Sequence, residues 1–498
     1  MQTTRRRWLM QLAALGAVPT LPGCLWNESS AQPARPATLG TNLSGMEWTQ
    51  PGIRRGASTL PNLHFTVPRK ADIAWLAQNG LRKNRLPVLW EMLQPVLFDS
   101  RPNAATRALV GEPGELHAQY AQFITDVLDA HAAVGARCIL DLHNYCRYRD
   151  FRYQPDGSVA GLQKPPTPQH RAYTDDGNAV VERIFSLAPG ATLTQAQFAD
   201  VWTRAARRWK DHPGLAGYGL MNEPHDLPAP GRTEQSEGGG EDLAIWPAYA
   251  RAAVAAIRQV DARTPIYVAS NGWSQATALA EQNPGFPLQG SNLVYEVHLY
   301  LDAASSGHAF DYDSEARKGY SAGLGKRAIE ADTGARRLEQ AVRWARKHDV
   351  QVALTEVGMP LDDARWQEMF LRTAVAAVRS GVEIYSWMGG AHWPIRNHAL
   401  NHVPGWYQDR TLVPAVAGPM LQAAGVARAT LYDEGAGMAP AGQPVTVTVS
   451  ARGSLAQPLA LTVASDAGGN FSKTALTIPA GANGADSFTF TPPAGKVA

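Results

Sequence analysis

Two glutamates in this chain close apolar runs. Residues 217–224 read GYGLMNEP and residues 352–358 read VALTEVG, so Glu223 and Glu356 each end a stretch of strand character. A carboxylate is costly to place there unless it is paired or hydrogen-bonded. Two of them brought together have the chemistry of an acid and a nucleophile. Taken singly, each could equally be a surface glutamate that follows a strand by chance; the rest of the pattern decides.

That pattern is an alternation of short β-type runs with longer helical ones. The β-type runs fall at 37–45, 81–90, 138–145, 217–224, 266–273, 293–300, 352–358 and 383–390. Between them lie amphipathic segments such as 117–135, 195–214 and 335–349, with apolar residues three and four apart and stops at Gly or before Pro. Repeated strand and helix predict an α/β fold, a (β/α)8 TIM barrel, whose active site sits at the C-terminal ends of the strands. Both glutamates fall there, on strands four and seven.

The other strand ends carry polar and aromatic groups as well. Arg85 is on strand two, His143 and Asn144 end strand three, Asn222 precedes Glu223, His298 and Tyr300 end strand six, and Trp387 is on strand eight. Alone, His143 would read as a structural histidine and Trp387 as core. Together the set Arg85, His143, Asn222, Glu223, His298, Tyr300, Glu356 and Trp387 matches, in order, the set of glycoside hydrolase family 5, the cellulase family. The chain resembles that family over roughly residues 38–425. The stretches NLSGMEW (42–48), RLPVLWEMLQP (85–95), DLHNYCRY (141–148), LMNEPHD (220–226), SNGW (270–273) and YEVHLYLD (295–302) look like its endoglucanase branch.

The resemblance implies a retaining endo-β-1,4-glucanase that works by double displacement. Glu356 would be the nucleophile, kept charged by Arg85 and Tyr300, and Glu223 the acid and later the base. Asn222 would bond the sugar 2-hydroxyl, His143 and His298 would orient the sugar and the carboxylates, and Trp387 would floor the reacting ring. The long stretches 146–193, 225–245 and 303–334 depart from the family pattern and build cleft walls. Mannan, xyloglucan or β-1,3-glucan therefore stay open as substrates for the same chemistry. A sugar-binding barrel without catalysis is a third reading, against which both intact glutamates argue.

Composition suits a sugar cleft. Of 14 Trp, Trp48, Trp90, Trp273, Trp387, Trp393 and Trp406 fall at or after strand ends, where aromatic faces could stack on pyranose rings. Trp75, Trp202, Trp209, Trp246, Trp344 and Trp366 sit in helical patterns and read as packing. A net charge of +2 with mixed signs gives no basic patch for nucleic acid. No Walker, dinucleotide or zinc spacing occurs, so neither cofactor nor metal is expected. The expected partner is a β-linked polysaccharide or oligosaccharide, and the expected state is a monomer.

Residues 1–24 read as an export signal. Thr4-Arg5-Arg6-Arg7-Trp8-Leu9-Met10 resembles a twin-arginine leader, and Leu21-Pro22-Gly23-Cys24 resembles a lipoprotein box. Export to the periplasm, to the cell envelope by a lipid on Cys24, or to the medium follows. A linker at 25–37 leads to the barrel domain at 38–427. Cys138 and Cys146, if at the two ends of an extended strand, would stand roughly 26 Å apart, beyond the reach of about 7 Å for a disulfide, so free thiols are expected. Residues 428–498 switch to Ala, Gly, Thr and Val in period-two runs and predict a small β-sandwich-like module, a spacer or stabiliser whose notable aromatics are Phe471, Phe488 and Phe490.

Overall fold

The computed structural model describes residues 38–47, 65–388 apart from 79, 165–171, 175, 236–238, 310, 322–325 and 360–362, and parts of 420–493. The leader, the linker, Cys24, Trp48, Trp393 and Trp406 lie outside the described residues. Among the described residues no helix is long and apolar enough to cross a membrane.

Eight parallel strands close a barrel: β1 Leu39–Leu43, β2 Lys83–Val88, β3 Arg137–Leu142, β4 Leu215–Gly219, β5 Ile266–Ala269, β6 Leu293–Tyr300, β7 Gln351–Gly358 and β8 Glu383–Met388. Each strand pairs with its neighbours in sequence, and β1 closes on β8 with Asn42 opposite Trp387. Among the described residues six helices of nine or more residues surround it: α1 Lys70–Gln78, α2 Ala118–Ala132, α3 Gln195–Trp209, α4 Ile245–Arg258, α5 Thr333–His348 and α6 Ala364–Arg379. Among the described residues the expected alternation is interrupted after β5, where 270–292 form turns and no helix.

Local chemistry explains the helix ends. Thr194 and Gln197 make a reciprocal capping box at the start of α3. Helix α5 ends on Arg346, Lys347 and His348, which complement its dipole, followed by Asp349 in the left-handed region. The helices also finish the strands. Trp202 Nε1 donates to Leu220 O at 3.2 Å, and Trp246 Nε1 donates to Ala269 O at 2.6 Å. Both carbonyls lie at or just past the end of a barrel strand, so these indoles satisfy acceptors that would otherwise be buried unpaired. Trp202, Trp209, Trp246, Trp344 and Trp366 are all buried, as their helical spacing implies.

The barrel interior is a packed core. Ile139, Ala216, Tyr267, Val294, Ala353 and Tyr385 fill it, while a larger cluster joins strands to helices. Gly217 is required because a Cβ there would lie 2.6 Å from the Tyr267 ring. The interior is thus filled at the end these side chains occupy.

Residues 147–151 and 180–184 form an antiparallel ribbon, and 162–163 pairs with 173–174. The described parts of the long stretch after β3 are therefore structured. In the C-terminal part, strands at 431–433, 445–451, 485–491 and 470–471 form one antiparallel sheet, and 459–462 pairs with 475–478. Val447, Val449, Leu461, Val463, Leu476, Ile478, Phe488 and Phe490 share a core, with Phe471 packed on it. Phe488 and Phe490 are buried, and the partly buried Phe471 packs against them.

Candidate active site

Glu356 lies within β7, two residues before its end. The pairing of β7 with β6 shifts register between Val297 and His298, so that His298 stands opposite Glu356. Such a bulge re-aims a side chain, and Thr355 O, at the irregularity, accepts from Asn42 Nδ2 at 2.7 Å. Glu223 is placed differently. Strand β4 ends at Gly219, and Glu223 follows four residues later with φ +40°. It is carried on an irregular segment and does not end the strand itself. That segment is held by Asn222 N donating to Leu142 O at 2.8 Å, Trp273 N to Pro224 O at 3.1 Å, and a 2.8 Å contact between His225 Nδ1 and Glu223 O.

The two carboxyls meet. One ligand atom each of Glu223, His298 and Glu356 lies within 4.8 Å of the others. Arg85 Nη1 donates to Glu356 Oε1 at 2.9 Å, and the Tyr300 hydroxyl donates to Oε2 at 2.8 Å. Both donors fix the orientation of the carboxyl. Glu223 contacts His298 Nδ1 at 2.6 Å. Burial pushes the Glu223 carboxyl up to about 7, against the lowering charges of His143 and Arg85, and burial pulls His298 down to about 4. At neutral pH His298 is therefore neutral and brings no cation to Glu223.

Arg85 is the hub. It bonds Asn42 Oδ1 at 2.9 Å and Asn222 Oδ1 at 2.7 Å, pairs with Asp141 at 3.0 Å, and faces Glu296 across 3.6 Å. Burial opposes its charge, but Asp141, Glu296 and Glu356 outweigh burial and hold its proton more tightly than usual. Burial raises Glu296. His143 contacts Asp141 Oδ2 and the Tyr145 hydroxyl, each at 3.0 Å, and its ring lies 5.4 Å from that of Trp387. Burial lowers His143, but Asp141, Glu356 and Glu47 together raise it.

Arg85, His143, Asn222, Glu223, His298, Tyr300, Glu356 and Trp387 thus converge on one end of the barrel. Two expected residues do not join them. Trp90 is wholly buried, with its ring edge-on to Tyr148 at 5.1 Å and its Nε1 donating to Gln94; it is core and no sugar platform. Asn144 turns away from the cleft, accepting from Trp90 N at 2.7 Å and donating to Glu91 at 2.5 Å. It braces the short helix at 90–93. Trp273 is 43% exposed and stacks on His225 with ring centroids 3.2 Å apart.

Sequence reading missed Asn42, Asp141, Tyr145, His225 and Glu296. A signal existed for two of them: Asp141 and Glu296 each precede a candidate histidine by two residues, the period that returns a strand to the same face. Nothing local marks Asn42 or Tyr145. Cys138 and Cys146 are buried free thiols; β3 ends before Cys146, which lies in a turn with φ +61°.

Comparisons with known proteins agree with this geometry. The aligned region is 23% identical over 304 residues to the manganese dependent endoglucanase Eg5A of Phanerodontia chrysosporium, covering 58% of this chain and 61% of that protein. It is 30% identical over 201 residues to endoglucanase 1 of Robillarda sp., covering 39% and 42%. The chain therefore spans less than two thirds of either relative. The crystal structure of Pseudomonas stutzeri endoglucanase Cel5A in complex with cellobiose superposes with a TM-score of 0.51 at 27% identity, over 74% of this chain and 88% of that one. An endo-beta-1,4-glucanase of Xanthomonas axonopodis pv. citri, 22% identical with a TM-score of 0.52 over 79% of this chain and 100% of that one, shares the fold. The family model for cellulase (glycosyl hydrolase family 5) matches residues 42–390, and with the barrel and the carboxylate pair already in place, the chain belongs to glycosyl hydrolase family 5.

Proposed function

We propose that this chain is a retaining endo-β-1,4-glucanase. The observation that carries the reading is the closeness of the Glu223 and Glu356 carboxyls, within 4.8 Å, in unlike surroundings. Retaining glycosidases hold the pair about 5–5.5 Å apart, and inverting ones about 6.5–9.5 Å. Glu356, with Arg85 and Tyr300 on its two oxygens, attacks the anomeric carbon and forms the glycosyl ester. Glu223, still protonated below about pH 7, gives its proton to the leaving oxygen and then takes one from water. With the imidazole proton on Nδ1, His298 donates to Glu223 Oε1 and leaves the other oxygen to carry the acid's proton. Asn222 Nδ2 has no partner among the described residues and keeps a donor for the sugar 2-hydroxyl.

The β-1,4-glucan preference is supported by the endoglucanase names of the relatives and by the cellobiose complex of the Pseudomonas stutzeri protein. One relative is named for manganese dependence. Here Glu223, His298 and Glu356 offer donor atoms within 4.8 Å of one another, and both oxygens of Glu356 already accept from Arg85 and Tyr300. The proposed steps use no metal. Export by the leader and a lipid on Cys24 belong to the same proposal; Cys24→Ser should move the protein from the membrane to the soluble fraction.

A substrate panel of carboxymethyl cellulose, mannan, xyloglucan and laminarin tests the specificity, with greatest turnover expected on the first. Glu356→Ala tests the mechanism. It should abolish turnover, and added azide should restore it on activated substrates with inverted product configuration. Proton NMR of wild-type product should show the β-anomer first. An initial α-anomer would exclude double displacement.

A further inference from the structure

We propose that Arg147 is a positioning residue for the acid Glu223, an inference that rests on the acid assignment above. Its guanidinium gathers three backbone carbonyls from two loops. Nη1 donates to Tyr145 O at 2.6 Å and to His225 O at 3.2 Å, and Nη2 donates to Asp226 O at 3.2 Å. Tyr145 belongs to the loop after β3; His225 and Asp226 follow Glu223 in the loop after β4. The negative ends of three peptide dipoles thus converge on one place, and only a cation with several donors in a fixed fork can hold them together.

The backbone there needs such a tie. Tyr145, Cys146, Glu223 and Asp226 all have positive φ, between +40° and +61°. Non-glycine residues hold that region only when surroundings impose it. The neighbouring ties from Leu142 O, Trp273 N and His225 Nδ1 fix residues 222–225. Arg147 fixes the far end of the same segment and joins it to Tyr145, whose hydroxyl meets His143 Nε2. Arg147 itself stands on a firm base. It opens the ribbon strand 147–151, its backbone N–H bonds Asn144 O at 2.8 Å, and its Nε faces Glu182 across 3.6 Å. The ribbon after β3 therefore has a task at the site, which is to present this guanidinium.

Glu356 is independent of this clamp, because it is held within β7 by Arg85 and Tyr300. Loss of Arg147 should consequently impair the acid and spare the nucleophile. The readout is kcat/KM for aryl β-cellobiosides, which reports the glycosylation step. A phenyl leaving group needs the acid, and a 2,4-dinitrophenyl group does not. Arg147→Met should lower kcat/KM about 100-fold on the phenyl substrate, in line with general acid catalysis and with the cost of a misplaced group, and less than about threefold on the dinitrophenyl one. Arg147→Lys keeps a charge but cannot fork to both loops, so it should show the same imbalance at about tenfold. If Arg147→Met does not fold, Arg147→Lys alone carries the test. Equal losses on both substrates, or no loss on either, would overturn the proposal. Glu223→Gln separates the two readings. If it shows the imbalance while the Arg147 variants do not, only the positioning role falls; if Glu223→Gln loses both substrates alike, the acid assignment falls and takes the positioning role with it.

Discussion

Glu223 and Glu356 are the same residue type made unlike by what surrounds them. Glu356 receives two donors, whereas Glu223 faces a neutral imidazole and is raised to about 7 by burial. The acid acts only while protonated, so kcat/KM on unactivated substrate should fall about tenfold per pH unit above roughly pH 7. A dinitrophenyl substrate should lack that alkaline limb, and a limb shared by both substrates would assign the titration to another group. The same logic of surroundings separates Trp90 from Trp273, which sequence position alone treats alike. Trp90→Ala removes a buried ring and should cost about 3–5 kcal/mol of stability, seen as a lower denaturant midpoint. Trp273→Ala should leave that midpoint in place and weaken cellopentaose hydrolysis more than aryl cellobioside hydrolysis, since stacking on remote sugars contributes binding energy to the reacting centre. Equal effects on the two substrates would remove Trp273 from sugar binding.

Elements place these residues, and some of the placement was legible in the sequence. Eight strands and the rim positions of Arg85, His298, Tyr300, Glu356 and Trp387 follow from the β-type runs and their ends. What was not legible depends on backbone departures from regularity: the bulge that sets His298 opposite Glu356, the left-handed turn that carries Glu223, and the turn that points Asn144 at Trp90 and Glu91. None of these has a periodic signature. A further hidden element contact joins α2 to the barrel. His131 Nε2 meets Asn84 Nδ2 at 3.1 Å, and Asn84 Oδ1 accepts from Thr41 N at 3.1 Å. Because Asn84 Nδ2 can only donate, His131 accepts on Nε2, and its Nδ1–H donates to Val127 O at 2.7 Å. Burial holds this neutral ring down at about 4. The folded pKa lies below the unfolded value near 6.5, so the associated stability is full above that value and is lost as pH falls toward 4, by about 3 kcal/mol. His225 and His298 are lowered to about 4 as well and act in the same direction. Denaturant midpoints measured from pH 7 to pH 4 should fall steeply for the wild type and less for His131→Gln. An unchanged slope in the variant would show that His131 titrates normally in the fold.

At the scale of the whole molecule, the barrel and the C-terminal strands bury separate apolar sets among the described residues, and the chemistry belongs to the barrel. All described residues of the candidate site precede Met388, and among the described residues the barrel strands that carry them pair only with one another. The C-terminal strands bury their own set of Val, Leu, Ile and Phe. A chain ended at Ala427 should therefore fold and keep its activity on a soluble oligosaccharide. The position of the cut matters, because Met420 is fully buried in the barrel core and Ala423 packs against it. Ending the chain at Ala415 removes both and should cost about 2–5 kcal/mol, the range for deleting a large core side chain. The pair of truncations can be compared by denaturant midpoint and by kcat/KM on cellopentaose. The shorter chain should be markedly less stable, whereas the longer one should match the full protein in both measurements. If the chain ended at Ala427 is as stable as the full protein yet inactive on cellopentaose, the C-terminal strands complete the cleft and the division between a catalytic barrel and an accessory module is wrong.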